Sequence, residues 1–407
     1  MSGKVVVLVI DGFGIGAMRD VNVVRPSDIG ANTLKSLLAY QPDLNLPNLA
    51  KLGLMNAYGI ESNKMKFSPK ANYGMINLMH DGADTFYGHQ EMMGSLPRKP
   101  KKDLFNKFID KVSLSLENHG HDVKFIGKNR QLLLIDNCIT IGDNLETDAG
   151  LAYNVTTSFD YVSFDEVVQV GHIVRESVKV PRVIVFGGKG VKLINLLASI
   201  HEKNDETIGV SAPEAGVYNK NYQVLHMGYG VDSRMQCPTL LGERGISVTL
   251  IGKVADIVSN DYGRSLFAVD TTLVMDKLIN EIKNLDTGFI CANVQETDLA
   301  GHSENPEIYI EKLKIVDDKL TTILNLLREE DLLMVVADHG NDPSIGHSRH
   351  TREQVPLLVY NKKLSGLRFG TRRTLSDIGS TALNWLEVDC HTENGSSIFK
   401  KRSSYHD

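Results

Sequence analysis

The run Val5-Val6-Val7-Leu8-Val9-Ile10, near the start of the chain, constrains the fold more than any other segment. It is continuously apolar and mostly β-branched, so it has no polar face to turn towards water. Such a run reads as a central strand covered on both sides of a parallel sheet. It ends at once in the turn Asp11-Gly12-Phe13-Gly14. Similar runs at 247–251, 288–294, 332–337 and 355–360, with an amphipathic stretch at 308–328 between two of them, predict an α/β core with a central, mostly parallel sheet. Ligands of such sheets gather at the carboxyl ends of the strands.

The chain of 407 residues exceeds what one core usually fills, so two domains are expected. Residues 99–238, which follow Pro97-Arg98-Lys99-Pro100-Lys101-Lys102, are poor in acidic and histidine clusters. They read as an inserted, smaller α+β cap, with strands at 123–126, 183–186 and 222–226 and a helix at 192–202. Residues 1–98 and 239–407 then form a discontinuous core. A net charge of −6 with 42% hydrophobic and 23% charged residues gives no bulk attraction for nucleic acid or anionic membrane. Cys138, Cys237, Cys291 and Cys390 lie far apart with no C-x-x-C pair, which argues against a zinc knuckle or disulfide scaffold and fits a reducing cytoplasm. The opening apolar run is too short for a signal core or a membrane span.

Three clusters carry potential chemistry, each just after a predicted strand: Asp11; Glu296-Thr297-Asp298-Leu299-Ala300-Gly301-His302; and Asp338-His339-Gly340-Asn341-Asp342, followed by His347 and His350. Carboxylates and neutral imidazoles suit hard or borderline divalent ions, and the lack of cysteine among them points to manganese, magnesium or zinc. Two such ions are the usual equipment for in-line phosphoryl transfer. Taken singly, each cluster also has a structural reading: Asp11 as a turn or cap residue, and Asp298 with His302 as a closed turn. Thr85, in Gly82-Ala83-Asp84-Thr85-Phe86-Tyr87-Gly88-His89-Gln90-Glu91, is the candidate nucleophile. Its structural alternative is to cap the following helix.

These segments together resemble the prokaryotic-type phosphopentomutase family of the alkaline phosphatase superfamily. The similarity runs through Asp11-Gly12-Phe13-Gly14-Ile15-Gly16-Ala17, residues 45–49, Asp84 to Glu91, residues 251–257 and 337–343, His350-Thr351-Arg352-Glu353 and Asp377-Ile378-Gly379. The resemblance implies an alkaline-phosphatase-like core in which Asp11, Asp338 and His339 hold one manganese ion together with Thr85. Asp298, His302 and His350 would hold the other. Phosphorylated Thr85 would exchange its phosphoryl group with a pentose phosphate, primed by a sugar bisphosphate, and Ser158, Asp160 and Lys253 would contact substrate. The spacing from Asp298 to His302 is one residue shorter than the family's, and Phe186 stands where the family has an arginine that meets the sugar phosphate, so the substrate stays open. A metal-dependent phosphatase or phosphotransferase on another small metabolite, and a non-catalytic metabolite-binding protein, are the alternative readings. The sequence assigns no oligomeric state, and His347 is expected to contact substrate or lie in solvent.

Overall fold

The computed structural model describes residues 3–146, 149–203 and 207–399. It divides into two compact units, one formed by Met1–Pro97 with Asp232–Asp407 and the other by Arg98–Val231. Residues 232–238, expected in the insertion, belong to the first unit. Cys237 N donates to Met93 O at 2.8 Å, and buried Gln236 donates to Gln90 Oε1 at 2.6 Å and Ser95 Oγ at 2.9 Å.

The first unit is built on an eight-stranded sheet. Its strand order is Arg264–Leu266, Val248–Gly252, Gly288–Val294, Lys4–Ile10, Leu332–Val336, Val355–Tyr360, Asn72–Ile76, Arg368–Arg372. Among the described residues, only the two pairings that flank Val355–Tyr360 are antiparallel. Lys4–Ile10 is buried along its whole length at the centre, as its composition requires. Each of its Val and Ile side chains contributes roughly 1.5–3 kcal/mol by leaving water. Even Lys4 at its start is buried, and it is neutralised there by Asp331, whose Oδ2 lies 3.0 Å from Lys4 Nζ. The helices Thr271–Asn284 and Pro306–Leu326 turn apolar stripes such as Val274, Leu278, Leu313 and Leu320 into the core of this unit.

The second unit carries a six-stranded sheet ordered Gln223–Gly228, Arg182–Gly188, Ala152–Ser158, Ile139–Asp143, Leu132–Ile135, Val123–Ile126. The helices Ile109–Asn118 and Phe164–Ser177 pack on one face around Phe105, Tyr153 and Val185. The helix expected over 192–202 is shorter, Leu193–Ala198. Ser199 Oγ bonds back to Asn195 O at 2.8 Å, and Ile200–Lys203 instead pairs antiparallel with Thr207–Val210.

Candidate metal centre

Register decides where the polar side chains emerge. Ile10 lies beside Val294, Val9 beside Val336 and Gly252 beside Asn293. Four neighbouring strands of the first unit therefore end at one level, and the residues that follow them, Lys253, Asp298, Asp11 and Asp338, meet at one edge of the sheet. Asp298 sits in the first turn of the short helix Glu296–His302, and His302, four residues on, lies on the same helix face.

Thr85 is the first residue of the helix Thr85–Met92, but it does not cap it. Asp84 does, accepting a bond from Tyr87 N at 2.9 Å. The Thr85 hydroxyl is left to donate to Asp338 Oδ2 at 2.8 Å. Glycine at position 88 allows this close approach, since a Cβ there would stand 2.8 Å from the backbone oxygen of Asp338.

Two triads result, each with its ligand-type atoms within 4.8 Å of one another: Asp11 with Asp338 and His339, and Asp298 with His302 and His350. In the first, His339 Nε2 is 3.2 Å from Asp338 Oδ2 and 3.6 Å from Asp11 Oδ1. In the second, the Nε2 atoms of His302 and His350 lie 3.4 Å from Asp298 Oδ2 and Oδ1 respectively, and 3.0 Å from each other. The triads adjoin, because the rings of His339 and His350 stack with centroids 3.9 Å apart.

All three histidines face inward in the same chemical sense. Their Nδ1 atoms lie against backbone carbonyls: His339 on Gly340 O at 3.0 Å, His302 on Ser348 O at 2.6 Å and His350 on Ala83 O at 3.2 Å. A carbonyl can only accept, so each Nδ1 carries a proton and each Nε2 offers a lone pair to the centre of its triad when the ring is neutral.

Without a metal ion, buried carboxylates share this space with Lys253 and the imidazoles, and their pKa values shift accordingly. Burial, reinforced by Asp338 and Asp298, pushes the Asp11 carboxyl up to about 7. Burial alone would lower His339, but the three carboxylates, Asp338 first, overcome it and raise the imidazole to about 10. Burial also opposes ionisation of Asp338 and Asp298, yet histidine contacts outweigh it and hold both well below the usual carboxylate range. Lys253 Nζ sits 3.0 Å from Asp11 Oδ2 and 3.0 Å from Asp298 Oδ2. Burial disfavours this ammonium, but the same carboxylates hold its pKa above the ordinary lysine value.

Several supporting residues carry no strong signal in the sequence. Asn341 Nδ2 donates to Asp298 Oδ1 at 2.9 Å and to Asp298 O at 3.1 Å. His89, fully buried, places Nδ1 2.8 Å from Thr85 O and 3.3 Å from Asp338 Oδ2, while its Nε2 meets Asn293 Nδ2 at 2.9 Å. Thr297 Oγ1 donates to Asp11 O at 2.7 Å. All lie within or next to the quoted motifs, but only the folded chain shows what they touch. His347 is neither in solvent nor in a triad: its Nε2 lies 3.2 Å from Asp28 Oδ1. Ser158 and Asp160 belong to the second unit, where Ser158 Oγ accepts from Asp160 N at 3.4 Å and Asp160 Oδ2 from Gly190 N at 2.8 Å.

A sequence profile of the Metalloenzyme superfamily matches residues 3–390. Phosphopentomutase of Alkaliphilus metalliredigens is 30% identical over 98% of this chain and 99% of its own length. The chain belongs to the metalloenzyme superfamily and, within it, to the phosphopentomutase family. Phosphopentomutase of Clostridioides difficile is 29% identical over 97% of this chain and 98% of its own. Among solved structures, a phosphoglycerate mutase of Leishmania mexicana covers 98% of both chains at 10% identity with a TM-score of 0.46. Membership of the phosphopentomutase family makes this an enzyme, an isomerase of the phosphotransferase kind that binds divalent metal, and sets aside the binding-only reading.

The residues present fit such an ion. Both carboxylate oxygens of Asp11 and the Nε2 of His339 are buried without a hydrogen bond of good geometry among the described residues, although ion pairs with Lys253 and Asp338 meet them. A divalent ion would take up their lone pairs and relieve the repulsion among Asp11, Asp298 and Asp338. Among the described residues, no helix is long and apolar enough to cross a membrane.

Proposed function

We propose that this protein is a mutase that moves a phosphoryl group between two hydroxyls of a small sugar phosphate, through a phosphothreonine at Thr85 and with two divalent ions, manganese first among them. A pentose phosphate is the substrate its relatives' name suggests. Asp11, Asp338 and His339 would hold one ion beside Thr85, and Asp298, His302 and His350 the other. Bound ions would supply positive charge against the phosphoryl oxygens and the nucleophile.

The chain's own groups do the rest. Asp338 orients the Thr85 hydroxyl from 2.8 Å, and His89 lies against both the Asp338 carboxylate and the backbone of Thr85, so the nucleophile and its partner share one anchor. Asn341 fixes the Asp298 carboxylate from the opposite side. Lys253, kept charged by two carboxylates, supplies a cation for the phosphoryl oxygens, and Ser158 and Asp160 are further substrate contacts. In one half-reaction phosphothreonine gives its group to a substrate hydroxyl and forms a bisphosphate. In the other, Thr85 Oγ takes the second phosphoryl group back. Over the first, the proton of the accepting hydroxyl ends on Thr85, and the second reverses this, so no water is consumed. The four cysteines, free of disulfides, suit a reducing cytoplasm.

One observation supports this reading above others: an uncapping threonine whose hydroxyl is aimed at a carboxylate of a buried acid–histidine triad. Intact-protein mass spectrometry after incubation of manganese-loaded protein with sugar bisphosphates tests it. The expected result is a gain of one phosphoryl mass in the wild type and none in Thr85→Ala. Rapid release of inorganic phosphate with no isomer formed would replace the mutase with a phosphatase.

A further inference from the structure

Arg25 presents a partly used guanidinium beside the nucleophile loop. It follows the short helix Val21–Val24 and precedes Pro26. Its Nε donates to Asp28 Oδ2 at 2.7 Å and its Nη2 to the carbonyl of His350 at 2.9 Å. Its Nη1 leans on the loop that carries Thr85, since a methyl group on Gly82 would stand 3.9 Å from it. Among the described residues nothing accepts a hydrogen bond from Nη1, and 23% of the side chain is exposed.

The anchor for this side chain is unusually firm. Asp28 is fully buried and also accepts from Ser27 Oγ at 2.8 Å and Arg352 N at 2.9 Å, with His347 Nε2 3.2 Å away. A guanidinium bonded at one edge to such a carboxylate and at a second nitrogen to a backbone carbonyl cannot swing, so its remaining N–H groups keep a fixed direction. A planar, fixed fork of this kind suits phosphate far better than a flexible ammonium does.

Lys253 already faces two carboxylates, Asp11 and Asp298, whereas Arg25 faces one. A mutase that passes through a bisphosphate must hold, in each half-reaction, the phosphate that is not moving. We infer that Arg25 holds this second anionic group of the substrate, a phosphate monoester, and so helps to select doubly charged molecules. The inference rests on the mutase reading for the identity of that group.

The test uses manganese-loaded full-length protein in a Thr85→Ala background, which stops turnover, and compares Arg25 with Arg25→Gln and Arg25→Lys. Calorimetry with ribose 1,5-bisphosphate is expected to show at least tenfold weaker binding for Arg25→Gln, partial recovery for Arg25→Lys, and manganese affinity within twofold. With Thr85 intact, Arg25→Gln should raise KM for a pentose phosphate more than it lowers kcat. Its loss on that substrate should exceed its loss on p-nitrophenyl phosphate, which has one phosphate, by at least tenfold. Unchanged bisphosphate binding overturns the inference, as does a parallel fall in manganese affinity, which would make Arg25 a positioning residue acting through His350. If bisphosphate binding depends on Arg25 but no sugar phosphate is isomerised, the mutase reading fails and this one stands. If isomerisation proceeds equally well in Arg25→Gln, the reverse holds.

Discussion

Thr85 concentrates the proposal in one atom. Its hydroxyl is spared from capping by Asp84 and aimed at Asp338, so Thr85→Ala should abolish phosphoenzyme and lower kcat on the order of 10³-fold or more, as losing a nucleophile does. Thr85→Ser, which keeps an oxygen but loses the methyl that limits its rotamers, should retain measurable phosphoenzyme in the same mass spectra. A ligand's support predicts a milder effect. Among the described residues the Asn341 amide nitrogen donates to Asp298, so Asn341→Ala should weaken manganese binding by about 10–100-fold, read by calorimetry, with the fold intact. Metal loading should also be linked to protons. Without a cation Asp11 titrates near 7 and His339 near 10, and both must be deprotonated to act as ligands. Apparent affinity should therefore fall as the pH drops below about 10, where His339 takes up its proton, and more steeply below about 7, where Asp11 does. Titration at about pH 6, in buffers of different ionisation enthalpy, should report proton release on binding; none released would mean these two groups are not ligands. The division of the acid and histidine clusters into two triads was what the family resemblance implied, whereas the clusters themselves were legible in the sequence because metal-ligand residue types recur after strands. Asn341 and His89 were not, because asparagine and histidine inside a motif have no distinctive spacing. The contact of His347 with Asp28 was not legible either, because its partner lies far away along the chain.

At the scale of elements, the nucleophile helix is fastened from its far end. Glu91 is buried and accepts from Met79 N at 3.0 Å, His80 N at 3.0 Å, Thr374 Oγ1 at 2.7 Å and Leu375 N at 2.9 Å, with His80 Nδ1 2.8 Å away. It joins the helix Thr85–Met92 to the strand exit before it and to the loop that leads into the helix Asp377–Trp385. Removing such a carboxylate strands several donors, so Glu91→Ala should cost about 3–5 kcal/mol in urea unfolding. Burial would raise the Glu91 carboxyl, but the His80 and Thr374 bonds more than offset it and leave its pKa lowered. A lowered folded pKa means that this contribution is fully present above the unfolded value of 4.5 and is lost as the pH falls through the folded value. In Glu91→Ala, stability should therefore fall less steeply below pH 4.5 than in the wild type. Equal slopes would show that Glu91 is not ionised in the fold. The central strands were readable because continuous β-branched runs have few other fates. Asn72–Ile76 and Arg368–Arg372 were not, because they lie towards the far edge of the sheet and mix small and polar residues. The strand Ile200–Lys203, with its exposed His201 and Glu202, reads as the end of the preceding helix until its antiparallel partner is seen.

For the whole molecule, the decisive feature is that its cores are separate. The large core around Val7, Leu250, Phe289 and Val335 draws all its members from the first unit. The cores around Tyr153 and Val185, and around Phe186 and Leu196, draw theirs from the second. Both triads, with Thr85 and Lys253, lie in the first unit alone. A ligand that binds only the native state stabilises it by RT ln(1 + [L]/Kd), about 2.7 kcal/mol at a hundredfold excess over Kd. That free energy belongs to whichever core must unfold to release the ligand. Manganese should accordingly raise the melting temperature of the first unit by several degrees, and a separately produced fragment 98–231 should fold and melt at a temperature that manganese does not change. Differential scanning calorimetry of both proteins, with and without the ion, makes the comparison. A shift in the isolated fragment would place a metal site in the second unit. A fragment that fails to fold would show that its two cores depend on the rest of the chain, and the sequence boundary near residue 98 would then mark a change of composition rather than an independent domain.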